Sequence, residues 1–262
     1  MPRKRFGQHF LVDQNVLNKI VSVFSPKDGE SIIEIGPGTG ALTEALLNRI
    51  RALTAIELDR DLIGYLREKF GAEESKELTV IESDILRFNF SSLIEQKEEG
   101  QKLRIIGNLP YNISTPLIFC LLEYVEIIQD MVFMLQREVA MRLSAQPGNK
   151  HYGRLTVMTA IDLHSECLFD VPPGAFNPPP KVDSTVIRMW PRKKQFEIDC
   201  RSSLAKIVSA AFSQRRKTIR NGLRKLISED QFEIANIDPK QRAENLSVED
   251  FVTLSNVYSR DL

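Results

Sequence analysis

The chain has 262 residues, enough for one large domain or a large and a small one. Hydrophobic residues make up 42% and charged residues 27%, which suits a soluble globular protein with a real core and excludes a disordered or fibrous one. Lysine and arginine number 35, as do aspartate and glutamate, so any affinity for nucleic acid must come from uneven placement of charge.

No run approaches 18 uninterrupted apolar residues, and Met1-Pro-Arg-Lys-Arg-Phe6 lacks the apolar core of a signal peptide. No membrane association is expected, and the location expected is cytoplasmic. Cys120, Cys167 and Cys200 form no C-x-x-C pair, and His9, His151 and His164 are dispersed, so neither a disulfide framework nor a metal site is expected.

In chain order, residues 3–11 form a basic arm, with Arg3, Lys4 and Arg5 followed by Phe6 and Phe10. A solvated tail could have this composition, but Phe6, Phe10 and Leu11 need burial. Asp13 then caps an amphipathic helix running to about Val21. The stretch that organises the rest is Ser31-Ile-Ile-Glu-Ile-Gly-Pro-Gly-Thr-Gly40. Its β-branched run reads as a buried parallel strand, its glycines as a tight turn, and Ala41 to Asn48 as the helix that follows.

Two cofactors compete for this loop. Gly36, Gly38 and Ala41 satisfy G-x-G-x-x-G/A loosely, as a dinucleotide site would require. Glu34, two places before the first glycine, and Gly40, two after the second, suit S-adenosylmethionine better. A sulfonium and an ammonium can use a nearby carboxylate, whereas a pyrophosphate is repelled by it.

Leu53 to Glu57 reads as a second strand, and Glu57 lies where a doubly wound fold puts the carboxylate for ribose hydroxyls. A helix from Asp59 to Phe70 leads to a third strand, Leu78 to Glu82, with Asp84 placed to accept from an adenine amine. Residues 91–102 read as an exposed polar segment without function. A fourth strand from Lys102 ends in Asn108-Leu-Pro-Tyr111, and Ser114 to Leu122 is a helix with proline near its first turn. Met131 to Leu135 is a fifth strand, Arg137 to Leu143 a helix, and Gly148 to Arg154 a polar, flexible-looking loop. Leu163 to Val171 and Val186 to Trp190 read as strands around a proline-rich segment holding Phe176.

Near residues 192–200 the pattern changes to helices and turns. From 201 to 228 there is no acid against eight bases, among them Arg215, Arg216, Lys217, Arg220 and Arg224. If residues 215–227 are helical, Arg216, Arg220 and Arg224 form one stripe at i, i+4, i+8, free to meet phosphates. The division expected is a methyltransferase domain over 1–194, including the basic arm, and a helical RNA-binding domain over 195–262.

Asn108-Leu109-Pro110-Tyr111 carries the most chemistry. An adenine amine is a poor nucleophile because its lone pair is delocalised into the ring. The Asn108 side-chain oxygen and the Leu109 carbonyl can accept from its two N–H groups, making the nitrogen more tetrahedral. Pro110 fixes the turn, Tyr111 offers a ring for an extruded base, and Phe176 could present an exposed ring to its other face. A dehydrogenase has no need of this tetrapeptide.

At these residues the chain resembles the small-subunit ribosomal RNA adenine dimethyltransferases, which convert two adjacent adenosines to N6,N6-dimethyladenosine. The resemblance rests on Arg5 to Leu11, Ile33 to Gly38, Ala55 to Asp59, Gly107 to Ser114, Ala175 to Ser184, Phe212 to Asn221 and Arg242-Ala-Glu-Asn245. It implies an α/β fold, with a Rossmann-like class I methyltransferase domain and a smaller all-α C-terminal domain that grips an RNA hairpin. It also implies S-adenosylmethionine contacts at His9, Leu11, Gly36, Glu57, Asp84 and Asn108, to which the loop reading adds Glu34 and Gly38. At His9 some family members have asparagine. The partner implied is small-subunit ribosomal RNA within the immature small ribosomal subunit, met by a monomer. Enzymes that dimethylate a large-subunit adenosine share the glycine loop, but the C-terminal stretches favour the small-subunit type. An RNA-binding assembly factor with vestigial catalysis is the reading from another class, and the intact Glu34, Asn108, Pro110 and Tyr111 argue against it.

Overall fold

The computed structural model describes residues 9–71, 77–94, 100–193 and 196–260. Among the described residues nine strands run in chain order: β1 (Phe10–Leu11), β2 (Ser31–Ile35), β3 (Ala52–Glu57), β4 (Glu77–Glu82), β5 (Leu103–Asn108), β6 (Ile128–Gln136), β7 (Leu163–Val171), β8 (Phe176–Asn177) and β9 (Ser184–Pro191). The α-helices are α1 (Gln14–Phe24), α2 (Ala41–Leu47), α3 (Arg60–Phe70), α4 (Ser114–Leu122), α5 (Arg137–Leu143), α6 (Arg154–Ala160), α7 (Arg201–Ser213), α8 (Ile219–Leu223), α9 (Glu229–Ile234) and α10 (Val248–Arg260). The seven strands expected are all present, within a few residues of the expected limits.

A seven-stranded sheet has the order β4-β3-β2-β5-β6-β9-β7. Strands β2 to β6 pair in parallel, and β9 is antiparallel to β6. All five residues of β2 are buried, which is why it reads as an unbroken apolar run rather than an alternating one. From β2 the chain goes to β3 and β4 on one side, then returns to β5 on the other. That reversal opens a crevice at the carboxyl ends of β2 and β5, where ligands of such sheets bind. Gly107 lets β5 approach there, because a Cβ on it would stand 2.5 Å from the Ile35 carbonyl oxygen.

The opposite end of the sheet is closed by a buried charge. Arg104 donates through Nε and Nη2 to Asp130 (2.7 and 3.0 Å), and through Nη2 to the Phe24 carbonyl (2.6 Å). Its Nη1 donates to Glu30 (2.7 Å) and to the Ser25 carbonyl (3.2 Å). All five guanidinium protons therefore have acceptors, which is what makes burying the cation tolerable. Arg188 supplies Asp130 with a second cation at 2.7 Å.

The short pair β1 and β8 was not expected. It joins Phe10 to Asn177 and Leu11 to Phe176, antiparallel, and places both Leu11 and Phe176 in the core. Two residues carry no strand periodicity, so only the long-range pairing reveals the element.

The chain folds as two compact units, Met1–Ala140 with Ser165–Pro191, and Met141–His164 with Arg192–Leu262. The boundary near 192 agrees with the change of pattern, but the single cut at 194/195 needs correction. Residues 141–164 belong with the C-terminal helices because Tyr152, Val157 and Ile161 pack into the core formed by Leu204, Ile207, Phe251 and Leu254. The second unit is thus not one continuous stretch of chain.

The helix expected over 215–227 is also corrected. Helix α7 ends at Ser213, Lys217 N–H closes a turn on the Gln214 carbonyl, and α8 spans only Ile219–Leu223. A continuous helix would require Ile219 N–H to reach the Arg215 carbonyl, but it donates to Gln241 instead (2.7 Å). Arg216, Arg220 and Arg224 therefore do not form a stripe on one helix. Residues 148–154, expected to be flexible, form a pinned turn: Tyr152 N–H donates to the Asn149 carbonyl, and His151 N–H to the Asn149 side chain.

Candidate active site

The glycine loop leaves β2 through three left-handed residues, Gly36, Gly38 and Gly40, with φ of 66°, 58° and 79°. A side chain at Gly38 is strained by that φ, and its Cβ would lie 2.9 Å from the Phe10 ring. Behind it the Gly38 N–H donates to Glu57 Oε2 at 3.2 Å. Glu57 is the last residue of β3, and its Oε1 also accepts from the amides of Leu58 (2.8 Å) and Asp59 (3.0 Å). Three backbone donors thus hold this carboxylate at the rim.

Asp84 follows β4 and caps a short turn, accepting from Leu86 N–H at 3.0 Å. Together with Ile35, Ile56, Ser83, Ile85, Asn112 and Ile113 it lines an apolar slot that Glu57 and Pro110 share with the main crevice. A planar base fits such walls, with Asp84 at the edge to accept from an exocyclic amine.

The main crevice is lined by His9, Leu11, Glu34, Gly36, Gly38, Glu57 and Asn108 to Tyr111, among others. Sequence reasoning named these residues from separate stretches, and they meet here. Asn108 closes β5, and its Nδ2 donates to the His9 carbonyl at 3.0 Å, which turns Oδ1 away from that bond as the available acceptor. Leu109 is anchored by its N–H to Met134 (3.2 Å), and Pro110 accepts from Ile113 N–H, fixing the turn. The Tyr111 hydroxyl shares a 2.8 Å hydrogen bond with Ser184, and burial pushes its pKa up. The His9 ring stands 5.7 Å from that of Tyr111, and its Nδ1 meets the Pro178 carbonyl at 2.8 Å.

Two expectations change. Glu34 lines the crevice, but it is 1% exposed, and burial pushes its carboxyl up to about 8, opposed by the Thr43 hydrogen bond. At neutral pH it is chiefly the acid. Phe176 is 4% exposed and packed in the core, not presented to a base, because its strand pairing with Leu11 turns it inward. Sequence reasoning gave no role to Ser184 or Phe10. Ser184 ends the quoted stretch 175–184, but no local signal pairs it with a tyrosine 73 residues earlier.

Of the residues assigned to RNA, Arg3, Lys4 and Arg5 lie outside the described residues. Arg215 pairs with Glu244 at 3.0 Å and Arg220 with Glu229 at 2.5 Å, while Arg216, Lys217 and Arg224 are exposed.

Among the described residues, no lysine or arginine lines either the crevice or the slot. The lining fits a nucleoside bearing hydroxyls and positive charge, with Glu57 and Asp84 at its polar edges. Comparison with known proteins agrees. The family model described as ribosomal RNA adenine dimethylase matches residues 2–260. The chain belongs to the ribosomal RNA adenine dimethylase family.

As a member of that family the enzyme is a methyltransferase of the class I fold, and the family implies S-adenosylmethionine as donor. The protein of Aromatoleum aromaticum called ribosomal RNA small subunit methyltransferase A is 48% identical over 255 residues, covering 97% of this chain and 93% of its own. A dimethyladenosine transferase from Plasmodium falciparum, solved by crystallography, has a TM-score of 0.79 at 27% identity, covering 94% of this chain and 96% of its own. The 23S ribosomal RNA methyltransferase ErmE shares the fold, with a TM-score of 0.72 at 24% identity over 95% of this chain and 99% of its own. Among the described residues, no helix is long and apolar enough to cross a membrane.

Proposed function

We propose that this dimethylase methylates the N6 amine of two adjacent adenosines in a small-subunit ribosomal RNA hairpin, within the immature small ribosomal subunit. It acts as a cytoplasmic monomer, and the main crevice with its side slot is the catalytic centre. When bound, S-adenosylmethionine supplies an electrophilic methyl group on a sulfonium. The chain's own part is to seat the donor and to shape the amine.

The observation that carries the reading is the orientation of Asn108. With Nδ2 committed to the His9 carbonyl, Oδ1 is left to accept from the target amine. The Leu109 carbonyl is the second acceptor, on a turn held by Met134 and by the Pro110–Ile113 hydrogen bond. Acceptors fixed before the reaction need no reorganisation as positive charge grows on the nitrogen. No strong base is needed, because the amine loses its proton after methyl transfer, when it is acidic. Tyr111 is the stacking surface for the extruded base. Glu57 and Asp84 hold the donor's hydroxyls and base, with His9, Leu11, Gly36 and Gly38 forming the walls around it.

The test is nucleoside mass spectrometry on small subunits from cells lacking this protein, before and after incubation with it and S-adenosylmethionine. The reading expects N6,N6-dimethyladenosine only after incubation. Its absence, or its appearance in large-subunit RNA alone, would sink the assignment.

A further inference from the structure

The second unit brings together three segments that are far apart in sequence. Gly148 N–H donates to the Glu244 carbonyl at 2.7 Å, and Thr218 forms a bridge with Arg242. Arg215 lies between: its Nε pairs with Glu244 at 3.0 Å, and its Nη2 donates to the Lys150 carbonyl. Tyr152, buried beneath the turn, packs against Phe212 with ring centroids 6.1 Å apart.

Charge converges along with the backbone. No aspartate or glutamate occurs between Glu138 and Asp162, nor between Arg201 and Ser228, and these two acid-free stretches are joined at Arg215. Lys150, Arg216, Lys217 and Arg242 are all exposed. The carboxylate of Glu244 is occupied by Arg215.

We propose that Lys150 shares an RNA-phosphate-binding surface with Arg216 and Lys217, and that Arg215 is a positioning residue that clamps the 148–152 turn into that surface. This rests on the dimethylase reading and adds to it a contact that the basic run 215–225 does not contain. The Arg215 charge is offset by Glu244 and two of its five protons are committed, whereas the Lys150 ammonium, on the turn that Arg215 pins, has no partner among the described residues.

The two roles for Arg215 predict opposite signs. Binding to unmethylated small ribosomal subunits is titrated with KCl for the parent, Lys150→Ala, Glu244→Gln and the double variant. Lys150→Ala should flatten the dependence of log K on log salt by about one unit, the signature of one lost phosphate contact. Glu244→Gln removes a negative charge yet should flatten it equally, and adding it to Lys150→Ala should change nothing more. Arg215→Lys, which keeps the charge and loses the planar fork, should behave like Glu244→Gln. Donor binding by calorimetry and thermal melts should match the parent in every variant. Tighter or unchanged binding by Glu244→Gln, or an unchanged slope in Lys150→Ala, would overturn the proposal. A parent protein that binds the donor but shows no salt-dependent binding to the subunit would instead remove the dimethylase reading on which it rests.

Discussion

The Thr43 hydroxyl, on α2, donates a 2.7 Å hydrogen bond to Glu34 Oε2 on β2, and both side chains are shut off from solvent. Burial dominates over that bond, so the carboxyl titrates near 8 in the folded protein against 4.5 for an ordinary glutamate. A raised folded pKa favours the folded state below the unfolded value, and that advantage is lost as pH rises through the folded one. The window here runs from about 4.5 to about 8. At pH 7 the cost is on the order of 3 kcal/mol. Glu34→Gln keeps an oxygen for Thr43 and carries no charge. Its Tm should exceed the parent's above pH 7, with the difference vanishing below pH 5. Equal Tm values across the range would mean that the carboxyl is not held as the acid.

Asn108→Ala removes the oriented acceptor and leaves the cavity walls in place. Single-turnover methylation should slow by a factor on the order of 100 or more, as for loss of one transition-state hydrogen bond. RNA association should change little. Tyr111→Phe keeps the ring and loses only the bond to Ser184, so it should be much less impaired than Tyr111→Ala. A parent-like rate in Asn108→Ala would show that Oδ1 does not act on the amine.

Glu57→Ala deletes the one carboxylate common to the crevice and the slot. The loss of charge-assisted hydrogen bonds of about 1.5–3 kcal/mol should weaken S-adenosylmethionine binding roughly 10–100-fold in calorimetry. NADH should bind neither the parent nor the variant. Nicotinamide binding of comparable strength would overturn the donor assignment.

Arg104 stands at the second residue of β5 and Asn108 at its last, four residues and about 13 Å apart along the strand. Arg104→Met strands Asp130, 1% exposed, with Arg188 as its remaining cation. Denaturant unfolding should show a loss of about 3–5 kcal/mol, the cost of breaking a buried pair from one side. Donor affinity of the folded fraction should hold. A changed affinity would mean that the far end of β5 is coupled to the crevice.

The chain's local patterns were enough for the parallel strands, the glycine turn and the carboxylates at successive strand ends. In each case the cause is local: a buried strand needs a short apolar run, and a left-handed turn needs glycine. Asn108, Leu109, Pro110 and Tyr111 were legible for a similar reason, because four consecutive residues carry both acceptors, the turn and the ring.

What tertiary structure alone decided are the relations that no spacing encodes. Asn108 is oriented by a carbonyl 99 residues away, and Tyr111 by a serine 73 residues away. Phe176 turns inward through a two-residue pairing too short to have a period, and Glu34 changes charge because burial is a property of everything packed around it. Residues 141–164 join the second unit because their apolar face is completed by helices that follow 40 residues or more later. The run of bases from 215 to 225 is plain in the sequence. Which of them have partners within the chain was decided by Glu244, Glu229 and the Lys150 carbonyl, groups that only the folded chain brings within hydrogen-bonding distance.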